Sequence, residues 1–243
     1  MANDRHALNN PAIANFQVGV DNVIFSVDLH SQKLFVLLSK RLQQPFQGVW
    51  SLPGTLVRKG ESLEQAADRI LKEKIKVNSL YLEQLYSFDE FACNPWGSAS
   101  QLGIRYLSVS YFALVRFEEA ELIAREGGMT AWFLVKEIPT LACDRDRILH
   151  YGYRRLRNKL EYSPIAFDVL PAVFTLNELY QFYGTVLGEN FADYSNFRSR
   201  LLKLGFLKDT GLKSSRGAGR PAKLYRFDSE AFAPLKDKPM VFI

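Results

Sequence analysis

The sequence predicts an α+β chain in two parts: a larger domain with a mixed sheet over residues 16–160, and a small domain of two helices and a two-stranded hairpin over residues 161–243, behind a polar tail over residues 1–15. Three observations carry that prediction. The chain has 243 residues, long for one domain and comfortable for two at roughly 100–200 residues each. Strand and helix signals alternate through residues 16–160, then give way to two helices and two strands. The formal net charge of +5 is also unevenly spread: residues 151–243 hold 15 Lys/Arg against 9 Asp/Glu, and residues 1–150 hold the remaining 16 against 17. Hydrophobic residues at 47% and charged residues at 23% are ordinary globular values, which excludes disorder or a collagen-like repeat as the main character.

In the first part, Gly19 to Val27 and Lys33 to Ser39 read as paired strands joined by the polar turn Asp28-Leu29-His30-Ser31-Gln32. Trp50-Ser51-Leu52-Pro53-Gly54 is a turn, and Thr55-Leu56-Val57 a short strand. Glu61 and Ser62 open a helix in which Leu63, Ala66, Ala67, Ile70 and Leu71 form one apolar stripe. Leu80 to Phe88 and Tyr106 to Val115 read as strands flanking a polar loop over Asp89 to Gly103, a rim or lid for a site. Ala131 to Val135 is a further strand. Residues 145–160 form a helix, with Leu149, Tyr153, Leu156 and Leu160 on one side. Pro164 and Pro171 break the helical pattern beyond it, which places the domain boundary near residues 161–166.

In the second part, Thr175-Leu176-Asn177-Glu178 is a capping box, and the helix it opens puts Leu176, Leu179, Tyr180 and Tyr183 on one face before Gly184 or Gly188 ends it. A second helix starts at Asp193 or Ser195 and buries Phe197, Leu201 and Leu204; Gly205 suits its left-handed end. Phe206-Leu207-Lys208 and Leu224-Tyr225-Arg226-Phe227 are short strands on either side of a basic loop over Gly211 to Ala222. Helix, turn, helix, strand, basic loop, strand is the order of a winged helix-turn-helix. Between Asp193 and Arg226 nine Lys/Arg stand against two Asp. Charge alone leaves this divided between contact with a polyanion and a solvated basic face.

Apolar runs such as Leu34 to Leu38 and Tyr111 to Val115 are far shorter than the roughly 20 residues that span a bilayer, and the polar N-terminus has no apolar core of a signal peptide. No membrane partner is expected. Cys93 and Cys143 read as isolated thiols, neither a disulfide framework nor a zinc site, and a cytoplasmic protein with reduced thiols is the simplest reading. His6, His30 and His150 have no ligand spacing, so no metal ligand or catalytic residue is assigned to them.

One stretch carries chemistry. Pro53-Gly54-Thr55-Leu56-Val57-Arg58-Lys59-Gly60-Glu61-Ser62, continued through Arg69-Ile70-Leu71-Lys72-Glu73-Lys74, resembles a Nudix box, with the Trp50-x-x-Pro53-Gly54 lead-in and the seven residues between Glu61 and Arg69 intact. It departs from the box at Thr55 for Gly, Ile70 and Lys74 for two Glu, and Lys76 for the late Gly. Positions 70, 73 and 74 lie at helical spacing on one face, where Nudix enzymes gather carboxylates around Mg²⁺. Magnesium needs hard oxygen ligands in near-octahedral geometry, and this face offers an Ile, one carboxylate and an ammonium. Metal-dependent hydrolysis is therefore expected to be lost, and no catalytic or metal residue is assigned. Lys74 either faces a pyrophosphate or pairs with Glu73 or solvent.

Beyond the box, Tyr81 to Phe88, Arg105 to Leu114, Trp132 near Ile138-Pro139, Phe174 to Leu179, Asn196-Phe197-Arg198 and Gly219 to Phe227 together resemble the Nudix-related transcriptional regulators of bacterial NAD metabolism. The resemblance covers residues 16 to 229 or so. It implies a Nudix α/β/α sandwich with a mixed sheet followed by a winged helix-turn-helix, acting as a homodimer. It further implies ADP-ribose as effector, with no required cofactor, and double-stranded, palindromic operator DNA as partner. A second reading keeps an active Nudix pyrophosphatase with ligands from Glu61, Glu64, Glu73 and the carboxylates at 89 and 90. A third is a binding module for RNA or protein without operator specificity.

The candidate ligand-binding residues are Arg41, Glu61, Glu73, Lys74, Glu83 and Arg105; arginines can hold phosphate oxygens through bidentate donors, or form surface ion pairs. Phe88, Phe91 and Trp96 can stack an adenine, with core packing the other use of Phe88. For DNA, Asn196, Arg198, Ser199, Arg200 and Lys203 lie off the buried face of the second helix, where Arg and Asn can read base edges or simply face solvent. Lys213, Arg216 and Arg220 in the Gly-flanked loop suit phosphate or minor-groove contact.

Overall fold

The structure, a computed structural model, describes residues 15–76, 81–90, 104–117, 120–122, 129–143, 145–188, 191–214, 221–236 and 238. Its first part is built on a long strand, β1 (Asn15–Asp28), at the centre of a seven-stranded mixed sheet. β1 pairs antiparallel with β2 (Lys33–Lys40), Phe25 opposite Val36. The Asp28 carboxylate fixes that hairpin by accepting from the backbone N–H of His30 at 2.8 Å and Ser31 at 3.3 Å. Outward from β2 lie β3 (Trp50–Ser51) and β9 (Thr130–Leu134), while β4 (Gly54–Leu56) pairs with β1. On its other side β1 runs parallel to β7 (Ile104–Arg116), which pairs antiparallel with β6 (Tyr81–Glu90). β5 (Ile75–Lys76) and β8 (Glu121–Leu122) make a separate ribbon.

Alternation along β1 sends side chains to two helical layers. On one side α1 (Leu63–Lys74) packs Ala66, Ala67 and Ile70 against Val20, Val109 and Tyr111. Its capping box is formed: Ser62 Oγ accepts from the Gln65 N–H at 3.1 Å, and the Gln65 side chain accepts from the Ser62 N–H at 2.8 Å. On the other side α2 (Arg145–Leu160) buries Ile148, Leu149, Leu156 and Leu160 against Val23, Phe25, Phe112 and Leu114. This is the expected α/β/α sandwich.

The second part begins with α3 (Ile165–Val169), then β10 (Phe174–Thr175), α4 (Leu176–Leu187), α5 (Tyr194–Lys203), β11 (Leu207–Ser214), β12 (Ala222–Phe227) and α6 (Ser229–Phe232). The strands form a sheet in the order β10-β12-β11, so the winged helix-turn-helix order is present. The Thr175 capping box closes on Glu178, and Gly188, at φ +85°, ends α4 in a backbone conformation that glycine adopts without cost.

Several elements differ from expectation. Gly211 to Ser214 and Ala222 belong to strands rather than to the basic loop; a register shift between Asp209 and Lys213 absorbs Gly211. α3 fits between the prolines because Pro164 occupies its N-cap, where a missing N–H costs nothing. Cys143 is disulfide-bonded, which corrects the reading of two isolated thiols; Cys93 lies outside the described residues. Among the described residues no helix is long and apolar enough to cross a membrane.

One apolar cluster runs from Val23 and Phe25 through Leu149 and Leu156 to Leu179, Phe182, Phe197 and Phe206. α2 is therefore a wall shared by both parts. Polar ties reinforce it: the Tyr153 hydroxyl donates to the Val186 carbonyl at 3.0 Å, and Arg116 donates to the carbonyls of Val169 and Leu170 at 2.8 and 2.7 Å.

Candidate functional site

The loop before α1 and its N-terminal turns hold the box residues. Glu61 accepts two hydrogen bonds from Arg69, at 2.7 and 2.9 Å, and a third from the Arg58 N–H at 2.9 Å. That hydrogen bonding with Arg69 holds the Glu61 carboxyl at about 2, well below the usual carboxylate range. Arg69 also reaches Glu73 at 3.9 Å. Ile70 is only 2% exposed and belongs to the Val20, Val109 and Tyr111 cluster. It thus does not share an open face with Glu73 and Lys74: an apolar side chain at this position is drawn into the core. Among the described residues no group of three His, Cys, Asp or Glu side chains is placed to hold a metal ion.

Beside the box lies a cleft of about 230 Å³, lined by Asp21, Lys40, Arg41, Pro53, Gly54 and Lys74 among others. β1 supplies Asp21, the end of β2 supplies Lys40, the residue after it is Arg41, and the last turn of α1 supplies Lys74. The Arg41 side chain is fixed by its Nε, which donates to the Pro45 carbonyl at 2.9 Å. Its burial, with Arg145 close by, lowers the Arg41 guanidinium from its ordinary value. The carboxylate of Asp21 is almost fully buried; it meets Arg145, also buried, at 3.0 Å and accepts from Ser108 Oγ at 2.5 Å. Arg145 lies over the Tyr106 ring, 5.6 Å from its centroid. Gly54 is needed here, since a Cβ on it would stand 2.3 Å from the Asp21 Oδ1. The charges lining the cleft are thus three cations and one carboxylate that is already paired.

Of the candidate ligand residues, Arg41 and Lys74 line this cleft, whereas Glu61 and Glu73 are engaged by Arg69 and do not line it. Glu83 and Arg105 do not line it. Glu83 binds Arg155 at 2.7 Å and accepts from Tyr81 and from Lys159, so it ties β6 to α2. Burial raises the Glu83 carboxyl, but the hydrogen bonds from Lys159, Tyr81 and Arg155 outweigh it and leave the group below its ordinary value. Arg105 pairs with Asp89 and lies over the Phe16 ring at 4.8 Å. Phe88 packs in the core, the other use open to it; Phe91 and Trp96 lie outside the described residues, as does the loop from 91 to 103. Lys40, Asp21 and Arg145 were not singled out from the sequence. The available signal was a lone Asp-Asn pair inside the apolar run Val18 to Val27, and an Arg at the first position of a helix.

On α5, Phe197 and Leu201 are buried while Asn196, Arg198, Ser199, Arg200 and Lys203 are exposed. Asp193 caps the helix by accepting from the Ser195 and Asn196 N–H groups at 2.9 and 3.1 Å, and the Asn196 side-chain amide also donates to it. Asn196 is thus part of the cap as well as of the exposed face. Lys213 is exposed on β11; Arg216 and Arg220 lie outside the described residues. The wing is braced by an ion pair between Lys223 and Asp209 at 2.7 Å.

Comparison with known proteins adds three findings. The Nudix domain model matches residues 15–151, and the model of the AraR C-terminal winged HTH domain matches residues 162–243. The ADPR responsive transcriptional repressor NtrR of Acinetobacter baylyi is 33% identical over 212 residues, covering 86% of this chain and 80% of its own. The crystal structure of Shewanella oneidensis NrtR is 31% identical with a TM-score of 0.72, over 89% of this chain and 96% of that one. The same protein complexed with a 27mer DNA gives 32% and 0.72, over 88% and 94%.

Proposed function

The chain belongs to the Nudix family, in the group of two-domain repressors that includes NtrR and NrtR, and from that premise we propose that it is a transcriptional repressor of NAD metabolism genes whose Nudix domain senses ADP-ribose without hydrolysing it. The observation that carries this reading is the charge of the cleft. Lys40, Arg41 and Lys74 line it, with Arg145 behind its one carboxylate. A diphosphate brings negative charge that these cations neutralise directly, and Arg adds bidentate geometry.

The residues present do not fit a magnesium cluster. Arg69 engages Glu61 and Glu73, Ile70 is in the core, and Lys74 opposes a second cation. No catalytic step is therefore written through a metal. Arg41 and Lys74 hold the diphosphate, while Arg69 keeps Glu61 and Glu73 engaged away from it.

Residues 161–243 supply the DNA contact. α5 enters the major groove, with Arg198, Ser199, Arg200 and Lys203 facing base edges and phosphates and Asn196 at its leading end. Lys213, Arg216 and Arg220 track the backbone. Residues 16–160 dimerise the protein, because a palindromic operator needs two α5 helices about one helical turn of DNA apart. Ligand in the cleft acts on Asp21 and its partner Arg145, the first residue of α2; α2 is packed against α4, so a shift there displaces both reading helices.

Two readouts on one sample test this: retention of operator DNA on a gel and formation of AMP, both with ADP-ribose and Mg²⁺ present. Release of DNA with negligible AMP is expected. AMP formation at an enzymatic rate, on the order of 1–1000 per second, overturns the sensor reading in favour of a pyrophosphatase.

A further inference from the structure

A second concavity lies on the same side of the sheet as α2, separate in its lining residues from the box cleft. It holds about 590 Å³ and is lined by Tyr86, Phe88, Asp146, Arg147, His150, Tyr151 and Arg154, within the roughly 300–1,000 Å³ common for small-molecule sites. Its floor is a triangle of rings. Tyr86 meets Phe88 at 5.5 Å and Tyr151 at 5.6 Å between centroids, and Phe88 meets Tyr151 at 5.8 Å. Tyr86 is nevertheless 56% exposed. A break in the β6–β7 register between Gln84 and Tyr86 redirects the strand here, and such bulges commonly re-aim a side chain next to a site.

The upper rim comes from one face of α2. Arg147 lies over the Phe88 ring at 5.7 Å and Arg154 over the Tyr151 ring at 5.2 Å. Seven residues apart, they stand about 10 Å from each other along the helix axis. Neither forms an ion pair among the described residues, unlike Arg145 with Asp21 and Arg155 with Glu83 on the same helix. A guanidinium held over a ring by cation–π attraction keeps N–H donors for bidentate contact with an oxyanion. Arg147 also lies in the first turn of α2, where the helix dipole favours negative charge.

We propose that this shelf is a binding site for a free purine nucleoside monophosphate. The base stacks on the exposed face of Tyr86, the phosphate pairs with the N–H donors of Arg147 at the start of α2, and Arg154 closes the far side of the base. Asp146 is the one carboxylate in the lining; it accepts from the ribose hydroxyls rather than meeting the phosphate. The exposed Tyr86 ring selects a planar ligand, and the two guanidinium groups of the rim select an anionic one; a nucleotide is both.

Titration of the full-length protein with AMP, followed by calorimetry, tests the assignment. Tyr86→Ala and Arg154→Ala, both at exposed positions, are expected to weaken AMP binding about tenfold or more each, the scale of a lost base stack or phosphate pair. Arg41→Ala in the box cleft should leave AMP binding unchanged, and inorganic phosphate alone should bind far more weakly than AMP. Absence of AMP binding at millimolar concentration, AMP binding indifferent to Tyr86→Ala and Arg154→Ala, or its loss in Arg41→Ala would each overturn the proposal. ADP-ribose release of operator DNA, measured on the same variants, reports on the sensor reading separately.

Discussion

Replacing Arg145 by Met removes one half of a buried ion pair. Asp21 and Arg145 have side chains only 2% exposed and meet at 3.0 Å. Without Arg145, Asp21 keeps Ser108 Oγ at 2.5 Å and a long contact from the Tyr106 hydroxyl at 3.4 Å. Neither is a counter-charge, but Arg41 remains as a cation that interacts with Asp21. Removing one partner of such a pair costs about 3–5 kcal/mol where the other charge is left uncompensated, and the remaining interaction of Asp21 with Arg41 favours the lower end of that range. At about 2–4 °C per kcal/mol for a chain of this size, the melting temperature should fall by about 6–20 °C. The neutral pair Asp21→Asn with Arg145→Met removes both charges and should recover part of that loss, since residues in direct contact do not add. Thermal unfolding followed by circular dichroism on the two variants gives the comparison. A single variant that melts within about 2 °C of the parent, or a double variant no more stable than the single, would refute the claim that this pair fixes the start of α2 to the cleft.

The same geometry carries two further expectations. Arg200→Ala should cost about 1–3 kcal/mol at the cognate site and relax sequence preference, whereas Lys213→Ala, Arg216→Ala and Arg220→Ala should each weaken binding evenly across sequences and lower the salt slope by about one; a salt titration on matched and scrambled duplexes separates the two classes, and identical behaviour sinks the division between reading and positioning. Glu83 sits below its ordinary value because the hydrogen bonds it accepts from Lys159, Tyr81 and Arg155 outweigh burial, so its contribution to stability is present above the usual Glu value of about 4.3 and lost as pH falls below that value and through the lower one of the folded state. The stability gap between the parent and Glu83→Gln in urea should therefore hold from pH 7 to about 5 and close in more acid solution; a gap independent of pH contradicts the role.

Helices were legible wherever an apolar stripe met a cap. Ser62 with Gln65 and Thr175 with Glu178 start α1 and α4, and the Leu149, Leu156 and Leu160 spacing marks α2. The two-residue strands β5, β8 and β10 were not, because two residues carry no period and exist only through their partners. In the box, spacing was legible and direction was not: Ile70, expected beside Glu73 and Lys74, turns into the core, since burial decides which side of a helix a residue joins. Asp21 and Arg145 are 124 positions apart in sequence, and only the parallel pairing of β1 with β7 and the packing of α2 across both bring them together. Glu83 looked like a ligand-binding carboxylate; its neighbours Arg155 and Lys159 come from a helix that local pattern could not place over β6.

The coupling between cleft and operator is the centre of the account, and it is reciprocal: if ADP-ribose lowers operator affinity by some factor, operator must weaken ADP-ribose by the same factor. Calorimetric titration of ADP-ribose into the protein, alone and with saturating operator DNA, measures that factor directly. A loss of about 5- to 150-fold in ADP-ribose affinity, or about 1–3 kcal/mol, is expected when DNA is bound. Equal affinities in the two titrations would contradict the account, because a ligand that binds both states alike shifts neither, however tightly it binds.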